Sequence, residues 1–166
     1  MSPGRGVTTE PAPLHEVHLL RLPVSVHAQA QEHGAELLRE MYLLSLQLGQ
    51  EDAHHVPVRL TELVDVLGNQ FGGLTTAQDL RLEAAIADDL DEIDLTYVLP
   101  VEASAASSAL GALLDEADEF CLQGQHLLTL ATPESSVRYR RWYLGEFVDQ
   151  LAGKAPTSWP NYVDRL

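Results

Sequence analysis

The sequence predicts a mainly α-helical protein, α+β in detail, with about five helices and two short strands. Three observations carry that reading. Apolar residues recur at threes and fours over most of the chain, which is the period of an α-helix with one buried face. Two short stretches, Val17 to Leu22 and residues 93–99, are apolar or rich in β-branched and aromatic residues, and each closes on a proline. Finally, the chain repeats itself. At an offset of 77 residues, Leu22/Leu99, Pro23/Pro100, Val24/Val101, Ala28/Ala105, Gly34/Gly111, Ala35/Ala112 and Leu37/Leu114 coincide without a gap, and Leu67-Gly68 matches Leu144-Gly145. Such a repeat implies one supersecondary unit used twice. The halves would be 14–92 and 93–153, with the two strand-like leads paired across a pseudo-two-fold. A C-terminal tail, 154–166, docks onto this single domain of residues 14–166.

Each element has its own local justification. Residues 1–13 carry Pro3, Gly4, Gly6, Pro11 and Pro13 and little to bury, so a disordered tail is expected. The first lead ends at Pro23, and residues 24–48 form the first helix, with Ala30, Leu37, Met41, Leu44 and Leu48 on one stripe and Leu38 beside it. Gly49 stops it, before a polar loop. Pro57 suits the first turn of a second helix, where its missing N–H is not needed. That helix buries Leu60, Leu63, Val64, Leu67 and Phe71 and ends at Gly72-Gly73. Thr75 with Gln78 reads as a capping box that opens a third helix to about Leu90, facing inward through Leu82, Ile86 and Leu90.

After the second lead and Pro100, a fourth helix runs to about Leu122 and buries Leu110, Leu113, Leu114, Ala117, Phe120 and Cys121. His126 to Leu130 is a short apolar connector. Thr132-Pro133-Glu134 then supplies an N-cap, a proline at the first helical position and an acid in the first turn. This last helix reaches about Leu151 and stops at Gly153. Trp159 and Tyr162 give the tail a reason to dock.

Composition narrows the function classes. A formal net charge of −15 disfavours sequence-independent binding to nucleic acid, which needs cations to displace counterions, and disfavours anionic membrane surfaces equally. No apolar run approaches the ~20 residues of a membrane span, and the N-terminus lacks the apolar core of a signal peptide. One cysteine, Cys121, excludes an intrachain disulfide and fits a reducing compartment, so the expected location is the cytoplasm.

No motif declares a chemistry. Gly-x-Ser-x-Gly, His-Glu-x-x-His, the P-loop and Gly-x-Gly-x-x-Gly are all missing. The histidines, His15, His18, His27, His33, His54, His55 and His126, have no ligand-like spacing. His15 and His18 would point to opposite faces of an extended segment, and Glu51-x-x-His54 has no second copy for a two-metal bundle. No metal, cofactor or catalytic residue is therefore expected. The acidic runs at 88–94 and 115–119 read as solvated faces or as internal partners for arginines.

The densest segment is VRYRRWYLGEF at 137–147. Arg138, Arg140 and Arg141 are three of only ten basic residues in the chain and sit among aromatics. Arginine beside aromatics is the chemistry of a binding hot spot, and Arg138, Arg140, Arg141, Trp142, Tyr143 and Glu146 are the candidate partner-binding residues. Two other readings stay open: an internal role, with the aromatics in the core and the arginines on the acidic helices, and a small anionic ligand clamped between the halves.

Five further stretches carry a resemblance: VHLLRLPVSVHAQAQEHGAELLREMYLLSL at 17–46, DLTYVLP at 94–100, LLDEADEFC at 113–121, LLTLATPES at 127–135 and RRWYLGEFVDQLAG at 140–153. Together they resemble a family of small actinobacterial regulatory proteins encoded near partner-switching genes, among them STAS-domain anti-anti-sigma factors and histidine-kinase-like ATPase anti-sigma factors. The resemblance implies a non-enzymatic regulator that binds an anti-sigma or STAS-domain protein, with a homodimer also expected to cover apolar helix surface. A strand-like lead ending in Leu-Pro, followed by two helices, is also similar to the start of the ATPase anti-sigma factors. This chain lacks their asparagine-bearing helix motif and Gly-rich lid, which implies that nucleotide binding is lost.

Overall fold

A computed structural model describes residues 11–48, 55–124 and 131–165. The first ten residues of the expected tail, most of the polar loop after Gly49 and the connector from His126 to Leu130 lie outside the described residues. The chain runs β1 (Leu14–Pro23), α1 (Val24–Gln47), α2 (Val56–Ala87), β2 (Glu92–Pro100), α3 (Glu102–Gln123), α4 (Glu134–Leu151) and α5 (Trp159–Val163). It is mainly helical, as its periodicity predicts. Strand, helix, helix occurs twice in the same order. The offset of 77 carries Pro23 at the end of β1 onto Pro100 at the end of β2, and Val56 at the start of α2 onto Pro133, one residue before α4.

The two leads are strands, and they pair antiparallel, with Leu14 opposite Pro100, His18 opposite Thr96 and Leu19 opposite Leu95. The register shifts between Leu19 and Leu22, so Leu20 and Arg21 together oppose Asp94. This is a β-bulge. Arg21 adopts a left-handed φ of 52°, its N–H donates to Asp94 Oδ1 at 2.7 Å, and its Nε donates to Glu92 at 2.9 Å. The bulge decides what faces inward. Plain alternation after Val17 and Leu19 would turn Arg21 into the core; the extra residue brings Leu22 there instead. Val17, Leu19 and Leu22 thus join Leu95, Tyr97 and Leu99, all buried.

A two-stranded sheet leaves two open edges. Here each half covers the other's strand with a glutamine. Gln150 of α4 accepts from the His18 N–H and donates to the His18 carbonyl, both at 2.8 Å. Gln78 of α2 donates to the Thr96 carbonyl at 2.6 Å. His18 and Thr96 also touch through Nδ1 and Oγ1 at 3.0 Å.

Three local expectations are corrected. The second and third predicted helices are one helix, α2, which passes through Gly72-Gly73 without a break. Thr75 does not cap a helix; its hydroxyl donates to the Gly72 carbonyl one turn back. Glycine costs helix stability but does not forbid it. Buried anchors on both sides, Pro57 and Leu60 before and Leu82 and Ala85 after, hold the helix together. Ile86 and Leu90, expected on the inner face, are exposed. Thr132, expected as the N-cap of α4, instead bonds through its N–H and hydroxyl to Asp118 of α3, and Pro133 takes the cap position.

The core has two centres. One joins the sheet to Tyr139, Trp142 and Phe147 of α4, with Trp159 and Tyr162 of the tail packed against it. The other joins α1, α2 and α3 through Leu37, Met41, Leu60, Leu113, Ala117 and Cys121.

Candidate functional site

Helix α4 carries the six residues singled out in the sequence, and the fold sends them to different places. Trp142 is 1% exposed, and its indole N–H donates to the Thr157 carbonyl at 2.8 Å. Glu146 is 5% exposed; its Oε2 accepts from the Thr157 N–H at 3.0 Å and from Gln150 at 2.7 Å. Burial, before those hydrogen bonds, pushes the Glu146 carboxyl above its ordinary range. Tyr143 meets Tyr97, hydroxyl to hydroxyl, at 2.8 Å.

Arg140 is only 12% exposed and bridges two carboxylates of α3, Asp115 at 2.5 Å and Asp118 at 2.8 Å. Arg138 pairs with Glu134 one turn back, and Arg141 lies 4.0 Å from Asp115. Only Arg138 and Arg141 keep substantial exposed guanidinium surface, so the six do not form one outer patch. The reason is helical period: residues 139, 142, 143 and 146 share the side that meets the sheet. Trp142 and Tyr143 lie inside, as the internal reading has the aromatics, and Glu146, absent from that reading, is buried with them.

Two other features have the geometry of sites. The first is a cavity of about 390 Å³ between α1, α3 and α4, with Val64 of α2 on its wall. Its lining draws on both core centres. On the α1 side stand His27, Gln31 and His33; on the α4 side stand Ser136, Tyr139 and Arg140. His27 Nδ1 and Tyr139 Oη are 2.7 Å apart, and burial pushes the His27 imidazole down to about 4, so the ring is neutral at ordinary pH. The Tyr97 hydroxyl behind this cluster is pushed up to about 12 by burial, and Tyr143 lies well above its usual range for the same reason. None of these groups is poised to exchange protons near neutrality.

The second feature is the outer face of α2. Val66, Gln70, Gly73, Ala77, Leu80 and Ala84 follow one another in alternating steps of four and three residues, and all are exposed. Val66 is 57% and Leu80 60% exposed. No charge interrupts this row. Steps of four and three are the spacing of a seam between paired helices, and small residues let a second backbone come close.

Sequence reading missed both features. The α2 row was obscured because Gly72-Gly73 split the helix in two. The cavity joins His27 and Tyr139 across 112 residues, a separation no local pattern reports.

Among the described residues no group of three or more histidine, cysteine, aspartate or glutamate side chains could hold a metal ion, and no helix is long and apolar enough to cross a membrane. Comparison with protein-family models, with curated proteins and with solved structures finds no match.

Proposed function

We propose that this chain is a non-enzymatic regulatory protein that acts by binding a protein partner, in a sigma-factor partner-switching circuit of the kind its sequence resemblance implies. One observation carries the binding surface: the uncharged, exposed seam of α2, from Val66 to Ala84, in a chain of formal charge −15. A solvated helix of so acidic a protein has no reason to keep five turns of one face free of charge. A helix of the partner, laid along Gly73 and Ala77, would bury Val66 and Leu80 and leave Arg81, one turn from Ala77 and Ala84, at the rim of the contact. On this reading the surface lies on α2, while Arg140 of α4 is engaged with Asp115 and Asp118 of α3.

The test is capture from the native cytoplasm with tagged full-length chain, wild type against an Ala77→Glu/Leu80→Glu double variant, with an Arg138→Glu/Arg141→Glu variant as contrast. An anti-sigma or STAS-domain protein should be captured by the wild type and the arginine variant. The α2 variant should bind it at least tenfold more weakly. Capture lost only with the arginine variant would return the surface to α4. Light scattering on the purified wild type and the α2 variant decides the remaining case: a dimer that the α2 substitutions dissociate would make a second copy the occupant of the seam.

A further inference from the structure

The cavity between α1, α3 and α4 does not belong to the α2 surface, and its wall has a definite chemistry. Most of it is aliphatic: Leu37, Leu38, Val64, Leu110, Leu114 and Leu144. Its one formal charge, Arg140, already faces two carboxylates, Asp115 and Asp118, and no carboxylate lines the cavity itself. A charged ligand would therefore be taken out of water without a free countercharge to receive it. Polar groups stand on both walls, His27, Gln31 and His33 on α1 and Ser136, Tyr139 and Arg140 on α4. His27 is held by Tyr139, but Nε2 of His33 is buried and meets no hydrogen-bonding group of the protein. Buried polar atoms are almost always paired, so a lone imidazole nitrogen beside a cavity marks where a ligand's polar atom would sit. At the ~30 Å³ that a water occupies in the liquid, the cavity holds roughly a dozen non-hydrogen atoms.

We infer that this cavity is a binding site for an uncharged, mainly apolar small molecule that carries one hydroxyl or amide group, which hydrogen-bonds to His33. The body of the ligand packs on the leucines of α1 and α3, and His33 sets its orientation. This site makes the protein a receptor for a small hydrophobic compound, independently of what α2 binds.

Three matched probes test it on the full-length protein by calorimetry and thermal shift: 1-naphthol, naphthalene and 1-naphthoate. They share one ring system and differ in having a neutral hydroxyl, no polar group or a negative charge. The expected order is 1-naphthol tightest, naphthalene about tenfold weaker, and 1-naphthoate weakest. His33→Leu should bring 1-naphthol and naphthalene to equal affinity while leaving naphthalene bound. Gly34→Leu is the second variant. Gly34 lines the cavity, and a Cβ there meets nothing within 4 Å, so a side chain at this position begins in open space. It should fold, raise the melting temperature of the free protein and abolish binding of all three probes. Binding of none of them to folded wild type, or binding that Gly34→Leu leaves intact, overturns the site. Tightest binding by 1-naphthoate overturns the uncharged class and makes the ligand an anion.

Discussion

His27 shows at the level of one residue how burial fixes chemistry. Its imidazole titrates near 4 in the folded protein because the charged form would be desolvated, against 6.5 for an unperturbed ring. The unfolded chain therefore takes up this proton first as pH falls. Stability from this group is complete above pH 6.5 and is lost between 6.5 and 4, a total of about 3 kcal/mol. Urea unfolding at pH 7.5 and 4.5 checks it: wild type should lose more stability on acidification than His27→Leu does. Glu146 runs the other way. Its carboxyl is raised by burial, so its contribution favours the folded state in acid and declines as pH rises through the folded value. Cys121 is buried between α1, α2 and α3, and burial, with Asp118 adding to it, pushes the thiol up to about 11. A thiol reagent at pH 8 should leave Cys121 unmodified in the folded protein and label it at the rate of unfolding. Rapid labelling without unfolding would place the thiol outside the core.

At the level of elements, α2 and the sheet edges carry the informative contacts. Gly72 lies in mid-helix, and a Cβ there meets nothing within 4 Å. Gly72→Ala should therefore raise stability by about 0.5–1 kcal/mol, seen as a higher melting temperature. A loss instead would mean that the helix needs to bend there. Gln150 is the clearest single contact between the halves, since it satisfies both the N–H and the carbonyl of His18. Gln150→Ala should cost about 1–3 kcal/mol in chemical denaturation, because it leaves backbone groups under α4 without partners. The loss should be accompanied by faster amide exchange at His18, which separates an edge effect from a general loosening of α4.

Over the whole molecule, the aromatic side of α4 and the C-terminal tail act as one closure. Trp142 packs edge-on against Trp159 at 5.5 Å between ring centres, and Thr157 bonds to both Trp142 and Glu146. Truncation after Gly153 removes all three contacts and uncovers the sheet-side core. It should destabilise the protein by about as much as Trp142→Ala, which at a fully buried tryptophan is ~3–5 kcal/mol. The two changes share partners, so together they should cost less than their sum. Near-ultraviolet circular dichroism follows the tryptophan packing directly, and a full-strength signal in the truncated chain would show that the tail does not close the core. The same whole-molecule view explains why the halves differ in use. Each contributes a strand and two helices, but only the first half has a long second helix with a free outer seam, while the second half breaks the corresponding stretch into α4 and α5.

What the sequence determined by itself was whatever depends on local pattern. The 3.6-residue apolar period located α1 and α3, Thr132-Pro133-Glu134 located the start of α4, and the Leu-Pro leads located both strands. These succeed because backbone hydrogen bonding and a single buried face are both written at short range. Tertiary structure alone decided the continuity of α2, the bulge at Leu20 and Arg21, and the inward side of α4. Two glycines permit either a stop or a helix, and only the buried anchors at both ends choose. Residues 137–147 are aromatic and charged nearly all round, so no apolar stripe on that helix says which side the sheet will take. The cavity, finally, exists only where α1, α3 and α4 meet, and its polar wall joins His27 to Tyr139 by a contact that chain separation hides and three-dimensional packing creates.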